Sequence, residues 1–136
     1  MWIFLQNSFL SIVDPEASYD GLSGPIGDKL LVRARIDGDI EAVFPNAKVS
    51  ETPHRDYRFR ALISRRIVAA AMAEAVNQIG ASNFKGSVPE KARHDAYSGV
   101  WGVMYREQLR RAPARPQRGQ KGQRALAFGD DFVPPL

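Results

Sequence analysis

In the stretch DYRFRALIS, residues 56 to 64, arginines alternate with apolar residues. Strand side chains alternate between two faces, so Arg58 and Arg60 would share one face while Phe59, Ala61 and Ile63 share the other. The run KLLVRARI, residues 29 to 36, repeats the pattern with Arg33 and Arg35. Guanidinium groups set in rows are suited to phosphate and carboxylate recognition, because each offers a planar fork of N–H donors and stays charged at physiological pH. Arg33, Arg35, Arg58 and Arg60, with Lys48 beside them, are the candidate partner-binding residues. The same rows also occur as a solvated strand face whose stems lie over the sheet and bind nothing.

Other chemistry is poorly supplied. The chain has no cysteine and only two histidines, His54 and His94, neither at ligand-like spacing from carboxylates, so no metal site and no cofactor is expected. Asp37, Asp39 and Glu41 resemble the start of a calcium loop, but the glycine stands second rather than sixth and the distal glutamate is missing. In GLSGPIGDK, residues 21 to 29, Asp28 separates Gly27 from Lys29 and no Ser or Thr follows, which fails the pattern of a phosphate-cradling loop. No nucleophile elbow or paired acids are present, and no catalytic residue is assigned. A small enzyme would have to bring together His54, Asp56 and Lys85, and nothing in the sequence requires that they meet.

The net charge of +4 suggests nucleic acid until the charges are located. Residues 1–109 carry thirteen basic and thirteen acidic side chains and are formally neutral. The excess lies in RRAPARPQRGQKGQR, residues 110–124, through Arg110, Arg111, Arg115, Arg118, Lys121 and Arg124. That stretch is rich in Pro, Gly and Gln without an apolar period, the composition of a disordered basic tail able to add phosphate contacts. The segment that follows, ALAFGDDFVPPL, residues 125–136, turns acidic and hydrophobic, and Phe128, Asp130, Asp131 and Phe132 make it a candidate docking tip. The domain expectation is therefore one body over 1–109, a basic tail over 110–124 and a tip over 125–136. No basic leader precedes the apolar start and no apolar run reaches a membrane span, so a cytoplasmic location without membrane contact is expected.

Several elements must position the arginines. MWIFL and SFLSIV, divided by Gln6 and Asn7, read as a hairpin. KLLVRARI reads as a strand whose Leu30, Val32, Ala34 and Ile36 face the core, with Leu31, Arg33 and Arg35 on the other side. Asp37 offers the cap of a short helix, with Asp39 and Glu41 at its positive end, that is ended by Pro45 and Asn46. AKVSE and YRFRALIS flank TPHRD as a second hairpin, and pairing Glu51 with Tyr57 sets Val49 against Phe59 and leaves Lys48, Ser50, Arg58 and Arg60 outside. Ser64 caps a predicted helix over 65–79, with Val68, Met72, Val76 and Ile79 as its apolar stripe. A second helix starts at SVPE, where Ser87 and Glu90 have capping-box spacing, and buries Tyr97, Val100, Trp101 and Met104. The expected fold is α+β: an antiparallel sheet with two longer helices packed on one face. Its order of strand, helix, two strands and helix also admits a ferredoxin-like core.

The segments MWIF, LLVRAR, DYRFRA, NFK and VW, in this order within residues 1 to about 105, resemble a family of short bacterial and phage-associated proteins. The resemblance implies no established activity. Small proteins of phages and mobile elements include inhibitors of host defence such as anti-CRISPR proteins, which adds an inhibitor or adaptor to the function classes. The leading expectation is a non-enzymatic binding domain that meets nucleic acid, or a protein or nucleoprotein complex, through an open basic sheet face and a basic tail.

Overall fold

The computed structural model describes residues 1–15 and 27–113. The two N-terminal runs of aromatic and branched residues form β1 (Trp2–Phe4) and β2 (Phe9–Val13), paired antiparallel with Phe4 opposite Phe9. The turn between them is tight: Leu5 N donates to Ser8 O at 2.8 Å, with Gln6 and Asn7 at its tip. Three further strands, β3 (Lys29–Ala34), β4 (Ser50–Glu51) and β5 (Phe59–Ser64), complete a five-stranded sheet of order β1-β2-β3-β5-β4. All its pairings are antiparallel. With two helices, α1 (Arg65–Asn77) and α2 (Lys91–Arg111), packed on this sheet, the protein is an α+β fold.

β3 and β5 are neighbours, as expected, and they run antiparallel, with Val32 opposite Ala61 and Arg33 opposite Arg60. A ferredoxin-like unit pairs its first and third strands in the same antiparallel way, with the second strand on the far side of the third, which is the order β3-β5-β4 found here. What departs from that unit is the connection between β3 and β4, where a short helix was expected. Residues 38–44 close only short turns, Ala42 N to Gly38 O at 2.9 Å, Val43 N to Ile40 O at 3.1 Å and Phe44 N to Ile40 O at 2.8 Å, and no helix develops. The β4–β5 register also differs from the expected one by two residues, pairing Glu51 with Phe59 and Ser50 with Arg60. A shift of two keeps every side chain on its face, so burial could not distinguish the two registers.

The core fills one face of the sheet. Leu10, Ile12, Val32, Ala34, Ala61 and Ile63 point into it, Ile40 and Phe44 close it from the 38–44 turns, and Val68, Ala71 and Met72 cover it from α1. Ile36, expected inside, is exposed because β3 has already ended at Ala34. Val76 and Ile79 are exposed as well: α1 runs past the sheet it covers, and the helix stops at Asn77. Ser64 sits at its N-cap position without a side-chain cap hydrogen bond.

α2 is held differently. A 3-10 turn at Lys85–Ser87 precedes it, and Ser87 Oγ donates to Phe84 O at 2.6 Å, so the expected capping box does not form. Glu90, at the N-cap position, turns its carboxylate to Arg93 Nε at 3.3 Å. Arg93 and Asp39 form a two-pronged ion pair, NH2 to Oδ1 at 2.7 Å and NH1 to Oδ2 at 3.0 Å, with both side chains 4% exposed. Asp39 Oδ2 also accepts the backbone N–H of Phe9 at 2.9 Å. One turn on, the Tyr97 hydroxyl lies 2.8 Å from Ser8 O and 3.0 Å from Leu5 O. The first half of α2 is thus pinned to the end of the β1–β2 hairpin and to the 38–44 turns. Asp39, expected as a charge at a helix start, is in fact the buried acceptor that joins three elements.

Among the described residues no helix is long and apolar enough to cross a membrane. α2 extends two residues beyond the expected body boundary at 109, and its last turn contains Arg110 and Arg111, both bonded to Glu107. Hydrogen bonds from Arg110 and then Arg111 hold the Glu107 carboxyl below its ordinary range, and Lys91 with His94 does the same for Asp95. A folded-state pKa below the unfolded one gives stability that is present above the unfolded value, about 4, and lost as pH falls through the folded value. Carboxyl 13C titration by NMR is expected to place both groups below the ordinary carboxylate range. Midpoints at ordinary values for Asp95 and Glu107 would show that these pairs do not persist in solution.

Candidate functional site

The expected basic residues do gather, although not as an open row. Tyr57, 4% exposed, lies at their centre. The Arg33 guanidinium carbon is 4.5 Å from its ring centroid and that of Arg35 is 4.2 Å, both in cation–π range. Arg35 NH1 donates to Asp56 O at 2.7 Å, and Arg33 NH2 donates to Ser11 Oγ at 2.8 Å. Arg33 Nε is buried without an acceptor. Neither arginine has a carboxylate partner among the described residues. Directly across the sheet from Arg33, Arg60 is 2% exposed, with Nε donating to Tyr57 O at 2.9 Å and NH2 3.3 Å from Asp56 Oδ1.

The reason the face is not open lies in Leu31. It sits on the arginine side of β3 yet is fully buried, between Val13 on β2 and Leu62 on β5. Arg33 and Arg60 flank it in a central part of the sheet, where stems are covered and only some N–H groups reach outward. The expected exposed row is therefore corrected: Arg60 is internal, Arg33 half-buried and Arg35 exposed. Arg58 is exposed but joined to Glu51 by a hydrogen bond from Nε at 2.6 Å and an ion pair through NH2. Lys48 is exposed just ahead of β4. Tyr57, which sequence reasoning took as an ordinary strand residue, organises the cluster; its signal was its place between Asp56 and Arg58 at the mouth of a hairpin.

A second feature lies along α2. Phe4, Phe84, Tyr97, Val100 and Trp101 line a cleft of about 410 Å³ together with Lys85. Phe4 meets Tyr97 edge-on at 5.0 Å and Phe84 stacks on Tyr97 at 5.8 Å. Lys85 Nζ stands 4.0 Å from the Trp101 ring centroid, and Trp101 stacks on Tyr105 at 5.2 Å. Of the stripe expected to be buried, only Tyr97 is; Val100, Trp101 and Met104 are 42%, 40% and 62% exposed. Helical spacing marks a shared face, but it cannot tell how far the body beneath extends.

No family model, curated protein or solved structure matches this chain. The segments LLVRAR and DYRFRA meet in the arginine cluster, while MWIF, NFK and VW meet in the cleft. No group of three or more His, Asp or Glu among the described residues could hold a metal ion. His54, Asp56 and Lys85 share no contact: Asp56 Oδ1 accepts from Tyr57 N at 2.8 Å and faces Arg60, and Lys85 is at Trp101. Arg110 and Arg111 are helical; Arg115, Arg118, Lys121, Arg124, Phe128, Asp130, Asp131 and Phe132 lie outside the described residues.

Proposed function

We propose that this is a non-enzymatic cytoplasmic binding protein that contacts the phosphates of nucleic acid, free or within a nucleoprotein complex, through Arg33 and Arg35. What supports this reading is one observation: two guanidiniums are held against the Tyr57 ring with no carboxylate partner among the described residues. Like charges repel, and each cation–π contact returns only about 0.5–2 kcal/mol. Arg60 adds a third positive charge across the sheet, beside the Asp56 carboxylate. An anion approaching the outer N–H groups relieves this imbalance, and the preset guanidinium planes reduce the ordering cost of binding. The basic residues of 110–124 add phosphate contacts that do not depend on sequence.

Fluorescence anisotropy of the full chain with labelled single-stranded and duplex oligonucleotides tests this. Affinity is expected to fall steeply with salt. Arg35→Glu, an exposed change that leaves the fold in place, is expected to weaken binding about tenfold and to lower the salt slope by about one. If Arg35→Glu binds like the parent while Gln at Arg115, Arg118, Lys121 and Arg124 removes binding, the sheet site is wrong. Binding that does not change with salt would reject phosphate recognition altogether.

A further inference from the structure

We propose that the aromatic cleft between β1, the Lys85–Ser87 turn and α2 is a peptide-docking site, occupied by the chain's own segment 125–136. This inference is independent of the nucleic-acid reading, because it uses a different surface.

The cleft has the chemistry of a site for an apolar side chain next to an anion. Phe4, Phe84, Tyr97, Val100 and Trp101 supply apolar walls, and Lys85 supplies one ammonium group. That ammonium lies over Trp101 and has no carboxylate partner among the described residues. The volume of about 410 Å³ falls at the lower end of the roughly 300–1,000 Å³ typical of small ligand sites, which suits one or two side chains rather than a folded surface.

The sequence of the chain beyond the described residues supplies the matching partner. After Glu107 the only acids are Asp130 and Asp131, and they lie between Phe128 and Phe132. The residues between α2 and this segment are basic, so they do not compete for Lys85.

Reach allows it. Trp101 lies ten residues before the end of α2 at Arg111, about 15 Å along the helix at 1.5 Å per residue. The twelve residues from 113 to 124 span up to about 40 Å when extended. Tethering raises the effective concentration to the millimolar range, so a weak intrinsic affinity suffices for occupancy. The Arg33 and Arg35 cluster offers charge as well, but its aromatic ring is buried beneath the guanidiniums; of these two sites, the cleft offers the apolar walls for a phenyl group.

Zero-length carbodiimide coupling of the full chain tests the contact, since it joins only an amine and a carboxylate already touching. An equal mixture of unlabelled and 15N-labelled protein at low micromolar concentration separates links within one chain from links between two. The expected product is an intrachain bond between Lys85 and Asp130 or Asp131, with its yield reduced at least tenfold in Phe128→Ala/Phe132→Ala. Absence of that product overturns the proposal. So does a product equally frequent at Lys29, Lys48 and Lys91, which would indicate charge attraction alone. Mixed-isotope products would overturn it in favour of a second copy as the occupant.

Discussion

Replacing Arg93 by Met is expected to destabilise the fold by about 3–5 kcal/mol, because it leaves the Asp39 carboxylate buried without its cation. Both side chains are 4% exposed, so water cannot take over the lost hydrogen bonds. Desolvation disfavours the charged guanidinium, yet the hydrogen bond to Asp39 outweighs it and holds the Arg93 pKa above its ordinary value. A loss of this size would consume a large part of the roughly 5–15 kcal/mol typical of a domain. In urea the midpoint is expected to fall by about 2 M if the denaturant slope is near 2 kcal/mol per molar. Asp39→Asn should be damaging for the mirror reason. The double variant should lose clearly less than the sum, because neither charge is then left alone. A midpoint shift for Arg93→Met equivalent to under 1 kcal/mol, or simple additivity, would show that the pair does not join α2 to the hairpin.

The fate of Asp39 shows where sequence reasoning ran out. Aromatic and branched composition placed β1 and β2, period-two alternation placed β3 and β5, and the three-and-four spacing placed both helices, because the last two patterns report burial along one element. What they omit is the partner. Asp39 reads as a helix-start charge, and Arg93 as one basic residue among several on an exposed-looking turn. The two are 54 residues apart, and only the folded hairpin brings Phe9 N and Tyr97 to the same spot. The antiparallel neighbourhood of β3 and β5 followed from the order of elements, but the form of the connection after β3 did not. Asp37 with its following apolar residues had looked sufficient for a helix, and residues 38–44 form only turns.

The candidate site was legible in composition and illegible in depth. Alternation correctly set Arg33 and Arg60 on the side away from Val32 and Ala61, but it said nothing of Leu31, which makes that side a second small apolar layer. On α2 the error had the opposite sign. Val100 and Met104 carry the spacing of a core stripe, yet the body ends near Tyr97 and leaves them exposed. An apolar period fixes which way a side chain points; the extent of the neighbouring layer decides whether it is covered.

Tyr57 links these two levels, and its substitution separates them. Tyr57→Ala removes a buried ring and is expected to destabilise the protein by about 3–5 kcal/mol, as for other large aromatic truncations. That loss reports packing alone. Tyr57→Phe keeps the ring face beneath both guanidiniums, and it is expected to bind oligonucleotides within about twofold of the parent. Tyr57→Leu keeps apolar bulk but removes the quadrupole that attracts Arg33 and Arg35, about 0.5–2 kcal/mol for each contact. Its affinity in the anisotropy assay is expected to fall about five- to tenfold although every arginine remains, because the guanidiniums are no longer set in place before the phosphate arrives. Both variants can be compared at a urea-verified folded fraction, so lost stability cannot mimic lost binding. Equal affinity for the Leu and Phe variants would mean that charge alone, without the ring that arranges it, accounts for recognition.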